Sequence, residues 1–483
     1  MLFNSANYIV FFIIVLILYY ALPYKLSRFM LLIASLIFYM AWEPALILLI
    51  LFSALSNFGL SLMIERYKDR KVKKRLYILS LIINFGLLAV FKYLAFLSRL
   101  IFGALGFIGL DLTPFEPNII LPMGISFYTF QAAAYTTDVY RGDIKAVRNP
   151  FEFTLFITFF PQLVAGPIER AKNLLSQLSA KHPFRAENII AGVKLMIIGY
   201  FKKVVIADRL AVAVDTIFAN PKDFDGFSFI VGALLFTIQI FCDFSGYSDI
   251  AIGTAKTMGI SLMTNFDRPY FSCSIKEFWR RWHISLSTWF KDYVYIPLGG
   301  SRVSKPRWAF NIMVTFILSG LWHGANLTFV FWGALHGAFQ IIGRIKSETI
   351  GKLCPKNFFT DIISGVITFA LVVYAWIFFR ADTLTDAFYI TAHLGENLTQ
   401  ILNPEYIYAS VTSWGLGLYP LVLSLGSVLI LFFTELISFK GNITSVVEKT
   451  PFPIRFGFYF CLVFIIISTG VFDSGAEFIY FQF

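Results

Sequence analysis

Apolar runs close to the length a helix needs to cross a bilayer, about 20 residues, recur from one end of this 483-residue chain to the other. Twelve stretches qualify, at about 7–22, 28–42, 45–64, 76–98, 119–139, 189–218, 228–260, 309–323, 326–343, 359–379, 413–436 and 455–472. The composition agrees, with 58% of residues hydrophobic and 14% charged, where a soluble domain carries about a quarter charged residues. The expected fold class is all-α: a polytopic membrane protein of about 11–12 transmembrane helices with re-entrant and interfacial helices. No soluble insert separates the spans, so 1–483 reads as a single membrane domain. The first apolar run lacks a basic leader and a small-residue cleavage site, and reads as a retained helix.

The formal net charge of +11, from 40 Lys+Arg against 29 Asp+Glu, would suggest nucleic acid in a soluble protein. Here basic loops that hold the cytoplasmic side of the spans explain it, and no nucleic-acid partner is expected. The densest run, ERYKDRKVKKR at 65–75, is placed inside; the link 102–118, with Asp111 and Glu116 and no Lys or Arg, is placed outside. Alternation then puts the basic link 267–308 and Lys346, Lys352 and Lys356 inside, with Asp382, Asp386 and Glu396 and both termini outside. Between the basic flanks of 140–188 lies FEFTLFITFFPQLV, too short to cross and broken near Pro161, which reads as re-entrant. Lys202 and Lys203 fall inside a candidate span, which points to a tilted or partly interfacial helix. Cys242, Cys273, Cys354 and Cys461 are scattered, so neither a metal knuckle nor a disulfide framework follows.

Five histidines bear on chemistry. His182 and His393 sit in polar loops and read as solvated surface. His323, in LSGLWHGANLTFVFWGALHG, lies between two apolar runs, where an ionisable side chain is expensive and a functional candidate by default; imidazole can pass a proton near neutral pH. His336 follows in the next helix among small neighbours and reads as a packing residue. His283 lies in EFWRRWHISLSTWFKDYVYIPLGGSR, either an interfacial amphipathic helix anchored by Trp and Arg or a basic cytoplasmic mouth for an anionic donor, formed with Arg280, Arg281, Arg302 and Lys305. QIFCDFSGYSDIAIG puts Asp243, Ser245, Tyr247 and Asp249 into an apolar run, as a network closing a helix break at Gly246 or as a polar cavity lining. PQLVAGPIER, with Gln162, Glu169 and Arg170, reads as a turn with interfacial charges.

Taken together, FWRRWHISLSTWFKDYVYIPLGG, LSGLWHGANLTFVFWG, QIFCDFSGYSDIAIG, FFPQLVAGPIER and the closing FIYFQF resemble, in order and over essentially the whole chain, the membrane-bound O-acyltransferases, most closely the bacterial branch that acts in alginate O-acetylation. The resemblance implies helices around a central tunnel, through which an acyl group passes from a cytoplasmic thioester toward an acceptor outside. The family's membrane histidine falls on His323 and its second signature position on His283, giving both as catalytic. Arg280, Arg281, Trp282, Trp322, Asn326, Asp243 and Tyr247 are the expected substrate-binding residues, with no metal and no bound cofactor. An exported SGNH-type acetyltransferase is the implied partner.

The expectation is thus an O-acetyltransferase of the bacterial cell (inner) membrane. Acetyl-CoA is the acyl donor, and an exopolysaccharide such as alginate or cellulose is O-acetylated. The chemistry suits the residues: acyl transfer needs a base near the attacking hydroxyl and a dry site, and no G-x-S-x-G elbow supplies another nucleophile. Rival readings are D-alanyl transfer from a carrier protein to teichoic acid, a non-catalytic transporter or channel, and a scaffold for a secretion complex. The length and the FIYFQF ending favour the polysaccharide branch.

Overall fold

The computed structural model describes residues 1–110, 112–117, 119–164, 166–349, 357–437, 443–472 and 478–479. Among these the regular structure is helical throughout, with no strand. Each of the twelve apolar stretches falls mainly on helix, although 119–124 and 414–417 are not helical. Among the described residues, six helices are long and apolar enough to cross a bilayer by length and composition: Pro44–Arg66, Arg70–Gly106, Gly226–Thr257, Phe358–Arg380, Leu418–Ile437 and Phe452–Thr469. Their ends follow local chemistry. Asp69 accepts from the amide of Lys71 ahead of Arg70–Leu88, and Asn357 and Thr360 cap each other's backbone ahead of Phe358–Arg380. The positions of Lys352, Lys356, Asp111 and Cys354, and of most of FIYFQF, lie outside the described residues.

The chain divides into two compact units. The first holds Met1–Val193 and Ala251–Met263. Its helices Ile47–Arg66, Arg70–Leu88 and Ile125–Arg141 are pinned by a buried amide cluster. There Asn57 donates to Asn84 at 3.0 Å, and its own side-chain oxygen accepts from Ser80, Asn84 and Thr136. The expected re-entrant segment forms two short helices, Pro150–Thr158 and Phe160–Leu163, buried from Phe153 onward. A nine-residue helix rises only about 14 Å, so neither piece can span. The break falls at Phe159, two residues before Pro161; proline lacks an N–H and crowds the carbonyl four residues back, so the helix must restart with Pro161 in its first turn. Glu169, expected among interfacial charges, is instead buried, where Asn173 and the amide of Met263 donate to it.

The second unit holds Lys194–Ile250 and Thr264–Phe483. The run containing Lys202 and Lys203 is a π-helical segment, Phe201–Ala207, that sits between two α-helices. Both lysines are buried rather than interfacial: Lys202 pairs with Asp249 at 2.9 Å, and Lys203 with Asp208 and Asp243, each at 2.7 Å. Charges at such depth persist only when paired. No helix break occurs at Gly246, because Gly226–Thr257 is continuous. The glycine is needed for a close crossing instead. A Cβ there would come within 2.8 Å of the Gly199 carbonyl oxygen, and one at Gly199 within 2.6 Å of that of Gly246. Lys305–His323 and Leu327–Thr349 pack just as closely, a Cβ at Gly333 colliding with the carbonyl of Phe316.

Candidate active site

His323 is the last residue of Lys305–His323. His283 occupies a hinge: Ile275–Arg281 ends, Trp282 is extended, His283 takes φ 41° and ψ 57°, and Ile284–Phe290 begins. Positive φ is uncommon for a residue with a Cβ and persists where surroundings over-determine it. Asn265 provides that hold. Its carbonyl accepts from the amide of Ile284 at 2.9 Å, its side-chain oxygen accepts from the Ser285 hydroxyl at 2.6 Å, and its side-chain amide donates to Ser248 at 3.1 Å. The hinge swings His283 off the basic surface and into the interior, where it is 0% exposed.

There it meets His323, which is 2% exposed. The two imidazole centroids lie 6.4 Å apart. Trp322 flanks both, at 5.8 Å from His283 and 5.0 Å from His323. Phe244 closes on His283 at 4.5 Å, while Trp332 and Phe379 close on His323 at 5.1 and 5.3 Å. Burial pushes the His283 imidazole down to about 3, so it is neutral at physiological pH. An apolar, aromatic-walled site strengthens every electrostatic interaction formed within it.

The other expected site residues divide. Trp282 is buried against Phe278 and Trp376 beside the hinge. Asp243, next to Phe244, accepts from Lys203 and from the amide of Ile479; Tyr247 packs on Phe478 at 4.4 Å. Asn326 donates to the Asp382 carbonyl and caps Thr328, and Arg281 pairs with Glu277 at 2.6 Å. Arg280, Arg302 and Lys305 are the exposed members of the expected basic mouth, Lys305 in a surface pair with Glu348. His336 accepts from Trp279 Nε1–H at 3.2 Å and stacks on Phe278, a packing role. His182 and His393 are half-buried rather than solvated, each bonded to a backbone carbonyl of its own segment. Sequence reasoning missed the aromatic walls Phe244, Trp332 and Phe379 and the partner Lys203; the one available signal was a lysine pair and acidic residues sharing apolar runs. Among the described residues no group of three or more His, Cys, Asp or Glu could hold a metal.

The apolar helices, with a histidine pair buried among aromatic rings, define a polytopic membrane protein. The model of the MBOAT, membrane-bound O-acyltransferase, family matches residues 36–381, and the chain belongs to that family. It is 41% identical to the probable alginate O-acetylase AlgI of Pseudomonas syringae pv. tomato over 80% of this chain and 73% of that protein. It is 34% identical to the peptidoglycan O-acetyltransferase of Helicobacter pylori over 77% and 76% of the two chains. With the teichoic acid D-alanyltransferase of Bacillus subtilis it shares 31% identity over 54% and 69%. The chain is an O-acyltransferase of the bacterial membrane, crossing it several times.

Proposed function

We propose that this enzyme, working as one membrane domain, takes an acetyl group from cytoplasmic acetyl-CoA and passes it across the membrane for O-acetylation of an exopolysaccharide such as alginate. An exported SGNH-type acetyltransferase completes the transfer. The observation that carries the reading is the buried pair His283 and His323, with ring centroids 6.4 Å apart inside aromatic walls. In this mechanism His323 is the general base. It takes the proton of the acceptor hydroxyl as the oxygen attacks the thioester carbonyl; the C–O bond forms, the C–S bond breaks, and the proton passes to the departing thiolate. His283 shares the reacting group and holds the developing negative oxygen as a hydrogen-bond donor from its neutral ring. Arg280 and Arg302, exposed on the basic segment, meet the donor's phosphates, a role that suits guanidinium. Trp282, Trp322, Asp243, Tyr247, Asn326 and Arg281 shape and hold the site around the substrates. The relatives support a polysaccharide acceptor, since two of the three named above are a probable alginate O-acetylase and a peptidoglycan O-acetyltransferase.

The test uses membranes carrying the full-length enzyme, labelled acetyl-CoA, and polymer acetyl content normalised to the level of membrane protein. The wild type transfers label. His323→Ala inserts at a normal level and loses about 10²–10⁴ in rate. Near-normal transfer by His323→Ala overturns the role of base, and transfer only from a D-alanyl carrier-protein thioester overturns the donor.

A further inference from the structure

We propose that the first unit carries a binding site for the headgroup of an anionic phospholipid, separate from the histidine pair and independent of the acyl donor. The site is a cavity of about 280 Å³ between the end of Ala6–Ala21, the start of Tyr24–Met40 and the loop after Ala171–Leu178, near the lower end of ligand-pocket sizes. The turn joining two apolar helices lies where lipid meets water, the zone that tyrosines favour, and Tyr19, Tyr20 and Tyr24 all line the cavity.

One cationic group there is built in. Arg28 is fixed on three sides: it donates to Glu152 at 2.9 Å and to the Tyr24 hydroxyl at 3.3 Å, and its guanidinium lies over the Phe151 ring. Its Nε–H is buried and has no hydrogen-bond partner among the described residues. A buried donor left unmade costs about 1–3 kcal/mol, so an oxygen anion entering the cavity satisfies it. Glu152 already balances the Arg28 charge; Lys181, exposed on the cavity wall, supplies the surplus positive charge. His182 donates Nε2–H to the Gln177 carbonyl at 2.8 Å, which fixes its ring on the cavity wall.

The choice of a lipid over a free phosphate follows from the surroundings. The same two helices expose Ile17, Leu18, Leu26 and Phe29, an apolar surface that acyl chains cover while the phosphodiester enters the cavity. Basic pockets between membrane helices commonly take anionic headgroups in this way.

The experiment is native mass spectrometry of the purified full-length protein, with phosphatidylglycerol, phosphatidylcholine or inorganic phosphate as the added probe. The wild type is expected to retain phosphatidylglycerol over phosphatidylcholine by about tenfold, equivalent to about 1.4 kcal/mol. Lys181→Gln, a surface change that leaves the Arg28–Glu152 pair intact, is expected to abolish most of that preference, and Arg28→Gln to abolish the rest. Equal retention of the two lipids by the wild type overturns the proposal. So does an unchanged preference in Lys181→Gln, or displacement of phosphatidylglycerol by millimolar inorganic phosphate.

Discussion

His283 shows how far a single residue's setting can depart from its sequence neighbours. Arg280, Arg281 and Lys291 surround it in the chain, which suggests a wet, charged surface, yet its left-handed backbone turns the ring into a site where it is wholly buried. That burial has a consequence for acid stability. In the unfolded chain an imidazole takes up a proton below about pH 6.5, whereas the folded site keeps His283 neutral down to about pH 3. The stability this group contributes is present above about pH 6.5 and is lost as pH falls below it, by at most ~1.4 kcal/mol per pH unit. The melting temperature of the wild type in detergent is expected to drop more between pH 7 and pH 5 than that of His283→Asn. Parallel curves for the two proteins would show that the buried imidazole is not the source.

At the scale of elements, the helix that ends in His323 is located by its packing against Leu327–Thr349. The glycines there are not flexible points. Gly333 lies so close to the backbone of Phe316 that any side chain must push the helices apart, whereas a Cβ at Gly337 would meet the flexible Met313 side chain at 3.0 Å. Gly333→Leu is therefore expected to cost about 1–3 kcal/mol through overpacking and to lower acyl transfer at least tenfold by displacing His323. Gly337→Ala should be milder in both respects, because a thioether can move. Equal effects on turnover from the two variants would refute this account of the helix pair. Gly246 teaches the same lesson: it looked like a helix break in the sequence, and it is a crossing point within an unbroken helix.

For the whole molecule, the charge asymmetry of the links predicts an orientation. With ERYKDRKVKKR inside and the N-terminus outside, a membrane-impermeant maleimide applied to intact cells should label Ala6→Cys and spare Lys68→Cys until the membrane is permeabilised. Both positions are exposed in the structure, so labelling of Lys68→Cys from outside would reverse the assignment. The sequence by itself determined the helical membrane class, a helix within each of the twelve apolar stretches, and the histidine between two apolar runs, because span length and the expense of a buried ionisable group are local properties written in composition and order. Only the tertiary structure decided that His283 is interior rather than interfacial, that Lys202 and Lys203 are paired rather than solvated, and that Phe244, Trp332 and Phe379 wall the histidines. Each of these depends on a partner distant in the chain: Asn265 for the hinge, Asp243 and Asp249 for the lysines, and three separate helices for the walls. Burial and pairing are set by which segments meet, and no window of neighbouring residues contains that information.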